Sequence, residues 1–187
     1  ADYYQHQGRN WEALALNQKA VTFQIERLGE NHPDTLIAMN NLASVYYQLG
    51  MLDKAVVLNE KTFVLRTKVL GEENPDTYKS MNNLAASYVS LGRYEEAIAF
   101  YLEIEKKYRE SLGEKHPSTI LSMHNLGVCY RALGKKEDAL VINKKVFDLR
   151  LEILGNRHPD TISSLNAWAL SCSDLGQYQA ALLLNKQ

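Results

Sequence analysis

The sequence predicts an all-α protein built from tandem pairs of helices, because three markers recur every 42 residues. A loop of the form Gly-x-x-(His/Asn)-Pro-(Asp/Ser)-Thr begins at Gly29, Gly71, Gly113 and Gly155. A second glycine recurs at Gly8, Gly50, Gly92, Gly134 and Gly176. An alanine recurs at Ala13, Ala55, Ala97, Ala139 and Ala181. A constant step without insertions is typical of a solenoid, in which each unit packs against its neighbours.

The first helix of each unit is predicted to begin at the proline of the loop. Proline suits the first helical position, because the backbone N–H there has no partner within the helix. The residue before it, such as His32 or Asn74, is then the N-cap. Gly50 gives the signal for the end of the helix. Apolar residues follow helical spacing between these limits: Leu36, Met39, Leu42, Ala43, Tyr46 and Leu49.

The second helix is predicted from about Asp53 to Leu70, with Gly71 after it. Its core-facing positions are predicted from the apolar residues Ala55, Leu58, Phe63, Leu65, Val69 and Leu70. Repetition of this unit predicts helix pairs near 33–70, 75–112, 117–154 and 159–187, with one partial unit over residues 1–28. Neither helix can bury its apolar face alone, so the pairs must stack.

Composition excludes several classes of protein. Lys and Arg number 21 against 22 Asp and Glu, which gives no general attraction to nucleic acid or to an anionic membrane. Cys129 and Cys172 are too few for a disulfide framework, so two reduced thiols and a cytoplasmic location are expected. No apolar run is long enough to predict a transmembrane helix.

The segment 83–98, which reads NLAASY and then LGRYEEAI, resembles the tetratricopeptide repeat (TPR) consensus. The usual unit has 34 residues, and eight more add about two helical turns. The 42-residue form is similar to the repeats of kinesin light chains and to arrays that follow the nucleotide-binding domain of many signal-transduction ATPases. The resemblance implies a right-handed α-solenoid whose first helices line a concave face.

The domain prediction is one array over residues 1–187. Residues 1–28 are assigned to a partial repeat and residues 155–187 to a truncated one. The full repeats are 29–70, 71–112 and 113–154. Because Leu182, Leu183 and Leu184 have no following unit to cover them, end-to-end self-association is also predicted.

Asparagines in the middle of the first helices are the main candidates for a binding site. They recur as Asn40-Asn41, Asn82-Asn83, His124-Asn125 and Asn166. Asparagine is unfavourable inside a helix, so its return in register needs a reason. One interpretation is that these amides hold the backbone of an extended peptide, since they offer both a donor and an acceptor. The other is that they bridge neighbouring helices.

The resemblance to kinesin light chains favours the first interpretation. In that family, asparagines at positions that match Asn41, Asn83 and Asn125 contact bound peptide, whereas Ala167 departs from the pattern. Register adds further residues to the predicted peptide-binding face: Ser44, Tyr47, Gln48, Lys79 and Arg131. Lys79, His124 and Arg131 make this face mildly basic, so an acidic peptide is one predicted partner.

Other polar residues are assigned structural roles. A second asparagine series on the second helices, Asn17, Asn59, Asn143 and Asn185, is predicted to brace helices. His32, His116 and His158 stand one repeat or more apart and cannot converge on one metal ion, so they are predicted N-caps. The sequence contains no phosphate-binding loop, nucleophile elbow or His-Glu-x-x-His motif.

The function predicted from the sequence is therefore a protein–protein interaction scaffold. It would bind an extended peptide and would have no enzymatic activity, metal or cofactor. Neither nucleic acid nor a membrane is a predicted partner. The alternative is a ligand-sensing or autoinhibitory array of a larger nucleotide-binding switch protein.

Overall fold

The computed structural model describes the backbone of residues 2–184 and the side chains of residues 10–181. Over residues 2–184 the regular elements are all α-helices, which confirms the predicted all-α class. They are α1 (Asp2–Leu28), α2 (Pro33–Gln48), α3 (Leu52–Leu70), α4 (Pro75–Ser90), α5 (Tyr94–Leu112), α6 (Pro117–Ala132), α7 (Lys136–Leu154), α8 (Pro159–Asp174) and α9 (Tyr178–Leu184). The predicted helix starts at residues 33, 75, 117 and 159 are confirmed.

Each first helix begins with the predicted cap. His32 Nδ1 accepts a hydrogen bond from the backbone N–H of Asp34 at 3.2 Å, and Asn74 Oδ1 accepts from Asp76 at 2.9 Å. His116 and His158 make the same bond to the residue two positions on. The cap satisfies a backbone donor that the first turn leaves without a partner. The predicted structural role of the three histidines is confirmed.

The loops between helices depend on glycine backbone geometry. Gly50 has a φ of +72° and Gly71 has a φ of +89°, in the left-handed region that other residues rarely adopt. The same geometry recurs at the later glycines of both series. In the longer loop, the buried Thr77 hydroxyl donates to the carbonyl of Gly71 at 2.8 Å, as Thr35 does to Gly29. These contacts repeat because the loop sequence repeats.

Contacts divide the chain into two compact units. Unit 1 contains residues 1–93 with α1 to α4, and unit 2 contains residues 94–187 with α5 to α9. The boundary falls in the turn inside the predicted repeat 71–112. In unit 1, Leu14 of α1 packs with Leu42 and Val45 of α2. In unit 2, helices α6 and α7 share a core of Ile120, Met123, Val146 and Leu149.

The buried face of the second helix is more polar than the sequence predicts. The first-helix stripe is largely confirmed, since Leu36, Met39, Leu42 and Ala43 are buried. In α3, however, Ala55 is buried whereas Val69 is 41% exposed. The other buried positions of α3 are Val56, Asn59, Thr62 and Arg66. The prediction from the spacing of apolar residues was therefore wrong for this face. Asn59, Thr62 and Arg66 can be buried because they form hydrogen bonds to neighbouring backbone and side chains.

Buried asparagines connect the second helix of one repeat to the first helix of the next. Asn59 Nδ2 donates to Ser87 Oγ at 2.9 Å, and Asn143 Nδ2 donates to Ser171 Oγ at 2.9 Å. Asn17 instead donates to the carbonyl of Ala13 in its own helix, because Val45 stands 28 residues later and has no hydroxyl. The predicted bracing role is confirmed for Asn59 and Asn143, and Asn185 lies outside the described residues.

Two further predictions concern the ends of the chain. Gly8 belongs to the glycine series whose member Gly50 signals the end of a first helix, but α1 continues through Gly8. In the sequence, Gln7 stands where Leu49, Leu91, Leu133 and Leu175 stand in later repeats, so the apolar residue that precedes the turn is missing. The side chains of Leu182, Leu183 and Leu184 lie outside the described residues, and end-to-end association stays a prediction.

Candidate functional site

A cleft of about 340 Å³ lies in unit 1 between α2 and α4, with α3 at its floor. Five of the predicted site residues line it together: Asn40, Asn41, Ser44, Tyr47 and Asn83. The other lining residues are Ala43, Asn59, Ala86 and Ser87. Because four of the nine side chains are carboxamides, we call this surface the amide cleft.

The asparagines of two successive first helices meet at the wall of the amide cleft. Asn83 Nδ2 donates a hydrogen bond to Asn40 Oδ1 at 2.7 Å. The two residues are 43 positions apart, one more than the repeat length. This bond supports the second interpretation of the asparagine series, in which amides bridge neighbouring helices. It leaves the side-chain N–H₂ of Asn40 and the side-chain carbonyl oxygen of Asn83 for other partners.

The rim and floor of the cleft are held by further hydrogen bonds. At the rim, the hydroxyls of Ser90 and Tyr47 are hydrogen-bonded at 3.1 Å, again across 43 positions. At the floor, Asn59 donates to Ser87 Oγ, and Ser87 Oγ donates to the backbone carbonyl of Asn83 at 2.9 Å. This chain of bonds joins α3 to α4 and fixes the floor of the cleft relative to its wall.

The remaining predicted site residues do not line the amide cleft. Gln48, Lys79 and Asn82 lie elsewhere on unit 1. Unit 2 contains His124, Asn125, Arg131 and Asn166. Of these, Arg131 and Asn166 are exposed, while His124 and Asn125 are half-buried.

The three predicted cations carry less free charge than the sequence suggests. Lys79 Nζ lies 2.8 Å from Asp76 Oδ1 on its own helix, and this hydrogen bond lowers the pKa of Asp76. Arg131 Nε lies 2.7 Å from Asp174 Oδ2. The pKa of His124 is lowered, first by burial and then by Arg150. Each group is therefore paired or favours the neutral form.

Two arginines that the sequence analysis did not select are buried against the first helices. Arg66 Nη1 donates to the carbonyl of Asp76 at 3.0 Å and to Ser80 Oγ at 2.8 Å. Arg150, 84 residues later, donates to the carbonyl of Asp160 at 3.0 Å. Burial lowers the pKa of both guanidinium groups. The sequence signal for these residues was an arginine at the same position of two second helices, two repeats apart.

The described residues contain few groups with reactive chemistry. Both thiols are free and buried, and burial raises the pKa of the Cys129 thiol to about 11, so it is a poor nucleophile. Within the described part of the chain, His, Cys, Asp and Glu form no cluster of three that could hold a metal ion. None of the described helices is long and apolar enough to cross a membrane.

Comparison with known families agrees with this architecture. The family profile of the tetratricopeptide repeat matches residues 1–68 and 76–152, most of the chain. The chain belongs to the tetratricopeptide repeat family. Its repeats form a fold that generally serves as a protein–protein interaction scaffold. No curated protein matches the sequence.

Solved structures with the same fold include kinesin light chain-type repeats. Two crystal structures of nearly identical TPR-like repeats from a Podosopora anserina protein of that type are each 29% identical to the chain. They cover 100% and 99% of the chain and 88% of their own lengths, with TM-scores of 0.88 and 0.86. BtubC (BKLC) from P. vanneervenii is 24% identical, with a TM-score of 0.84 over 98% of the chain and 73% of its own length, and it shows the fold alone.

Proposed function

We propose that unit 1 binds an extended peptide segment of a partner protein across the amide cleft, and that the chain acts as a scaffold without enzymatic activity. The observation that carries the proposal is the cleft itself. Asn40, Asn41, Ser44, Tyr47 and Asn83 were selected from sequence register, and they line one opening. A surface of amides and hydroxyls suits a peptide backbone, which also presents one donor and one acceptor per residue.

Asn41 and Asn83 contribute to this proposal in different ways. Asn41 is exposed at the cleft, and none of the hydrogen bonds among the described residues uses its side chain. It is therefore available to a ligand. Asn83 is half-buried and braces Asn40, so its carbonyl oxygen is presented in a fixed position. A preorganised group loses less conformational entropy when a ligand binds.

Charge contributes little to the proposed binding. Nine uncharged residues line the amide cleft, and Lys79 is paired with Asp76. An acidic partner stays a prediction of the sequence analysis, and we expect any such preference in unit 1 to be weak. Raised ionic strength should therefore weaken binding only modestly. The alternative of a sensing array in a larger switch protein stays a prediction.

The probe is a peptide that binds the full chain, selected from a library of short peptides displayed on phage. Asn41→Ala should weaken binding of a selected peptide about three- to tenfold, because a hydrogen bond contributes ~0.5–1.5 kcal/mol. The melting temperature should not fall, since Asn41 braces no other residue and alanine is the better helix former. Asn83→Ala should weaken binding and also lower the melting temperature, because the bond to Asn40 is lost. Fluorescence polarisation and thermal unfolding measure the two effects.

Asn166→Ala is the matched control, since Asn166 is an exposed asparagine at the register of Asn40 but in unit 2. It should leave binding unchanged and should not lower stability, since alanine is the better helix former. A selection that yields no binding peptide, or equal weakening by Asn166→Ala and Asn41→Ala, would contradict the assignment to the amide cleft. If Asn83→Ala lowers the melting temperature and Asn41→Ala has no effect on binding, the asparagines serve only as braces.

A further inference from the structure

The hydrogen-bond groups that remain free in the amide cleft define the side chain that it can accept. Asn83 Nδ2 and Asn40 Oδ1 are paired with each other, so Asn40 Nδ2 and Asn83 Oδ1 remain. Asn59 uses its Nδ2 for Ser87, which leaves Asn59 Oδ1 without a hydrogen-bond partner among the described residues. The cleft therefore presents both a donor and acceptors, on groups that the bonds between helices hold in place.

Asn59 is the decisive residue, because it lies at the floor of the cleft and is only 5% exposed. A ligand that fills the cleft displaces water from Asn59 Oδ1, and unless the ligand donates a hydrogen bond there, the oxygen is left unpaired at a cost in free energy. An N–H donor from the ligand is thus favoured at the floor. Since the donor of Asn40 is free at the wall, the same ligand group can also accept a hydrogen bond.

Charged and apolar side chains fit these groups poorly. A carboxylate has acceptors only and would meet the carbonyl oxygens of Asn59 and Asn83 without a cation among the lining residues. A lysine ammonium could donate, but no carboxylate lines the cleft to balance its charge. An apolar side chain would cover Asn59 Oδ1 and leave it unpaired.

We propose that the amide cleft holds the primary carboxamide of a glutamine or asparagine side chain in the bound peptide. This inference rests on the proposed peptide-binding function and names its specificity. The ligand amide N–H₂ donates to Asn59 Oδ1 and Asn83 Oδ1, and the ligand carbonyl accepts from Asn40 Nδ2. The cleft thereby selects a neutral polar residue of the peptide. Lys79, His124 and Arg131 had instead predicted an acidic peptide.

The test uses three Ser/Ala peptides whose central residue is Gln, Glu or Leu, titrated into the full ¹⁵N-labelled chain and followed by NMR. The Gln peptide should bind at least about fivefold more tightly than the Glu or Leu peptide, a difference close to 1 kcal/mol. Asn59→Leu should reduce this preference to less than about twofold, since the floor acceptor is lost. Asn143→Leu removes the equivalent buried asparagine of unit 2 and should leave the preference intact.

A second variant keeps the test decisive if Asn59→Leu does not fold. Ala86→Val narrows the cleft, and the helix tolerates valine at this register because Val128 occupies it in unit 2. It should weaken the Gln peptide most. Equal affinities of the three peptides for the wild-type chain would overturn the carboxamide assignment while the proposed function stands. If none of the peptides shifts the side-chain resonances of Asn41 and Asn83, whereas library peptides bind elsewhere, both proposals fail.

Discussion

Units 1 and 2 carry the same repeat in the same register, yet their first helices are joined by different chemistry. In unit 1, α2 and α4 are joined by the neutral pairs Asn40–Asn83 and Tyr47–Ser90. In unit 2, α6 and α8 are joined by the ion pair of Arg131 and Asp174. All three pairs are separated by 43 positions. The backbone thus determines which positions meet, and the residue types determine whether the contact is neutral or charged.

The position of Asn40 shows the difference between the units most clearly. Asn40 has a partner in Asn83, but in unit 2 the corresponding residues are His124 and Ala167. His124 Nδ1 is buried and has no hydrogen-bond partner among the described residues.

A second contrast between the units lies at Gly127, where the other repeats have alanine. A Cβ there would lie 2.1 Å from Asn143 Oδ1, so an alanine at this position would require the Asn143 side chain to shift.

The largest difference that we predict concerns the buried arginines. Arg66→Met should lower the free energy of unfolding by about 2–3 kcal/mol, because it removes the hydrogen bonds from Arg66 to the carbonyl of Asp76, to Ser80 Oγ and to the carbonyl of Leu36. Arg150→Met, its match in unit 2, should cost only about 1 kcal/mol, since a single hydrogen bond to Asp160 is lost. Urea unfolding measures both. Equal costs would show that the number of hydrogen bonds does not distinguish the units.

An intermediate effect is expected from pH, through His124. Burial, and then Arg150, lower its pKa in the folded chain, and Asp160 offsets this in part. The unfolded chain, with an ordinary histidine pKa of about 6.5, therefore takes up the proton first as the pH falls. Stability should accordingly decrease from about pH 6.5 towards the lowered folded pKa. His124→Asn, which restores the residue type of Asn40, should make this decrease smaller.

Melting temperatures between about pH 5 and pH 8 measure the effect of His124. Wild type and His124→Asn should show the same pH dependence above about pH 7, because the imidazole is neutral there in both the folded and the unfolded chain. Below that pH the wild-type melting temperature should fall more steeply. Parallel curves over the whole range would rule out a contribution from this residue.

The smallest effect is expected at the surface pairs. Arg131 and Asp174 are 41% and 34% exposed, so Asp174→Asn should cost less than about 1 kcal/mol, and salt should reduce that cost. Ser90→Ala removes the neutral bond to Tyr47 in unit 1 and should have a similar small cost that salt does not change. Unfolding at low and high salt separates the two. If the loss of stability caused by Asp174→Asn does not depend on salt, the predicted difference between the ionic and the neutral pair is wrong.

The helices and loops could be predicted from the sequence alone, because local chemistry controls them. The cap of His32 lies two residues from its donor, and the conformation of Gly50 depends on its own backbone. The 42-residue step also places Asn40, Asn41 and Asn83 around one cleft. Which of their atoms are free was not predictable from the step, since Asn83 bonds to a residue 43 positions away.

The side chains buried in the second helices, and the groups that line the cleft, depend on how the helices pack together. Asn59 and Arg66 are buried while Val69 is exposed, contrary to the apolar pattern. Their hydrogen-bond partners, Ser87 and Asp76, lie on another helix, so burial depends on packing rather than on the polarity of the residue itself. A residue pattern along one helix contains no information about partners on another helix. The floor of the amide cleft could therefore not be predicted from the sequence, because it forms where α3 packs against α4.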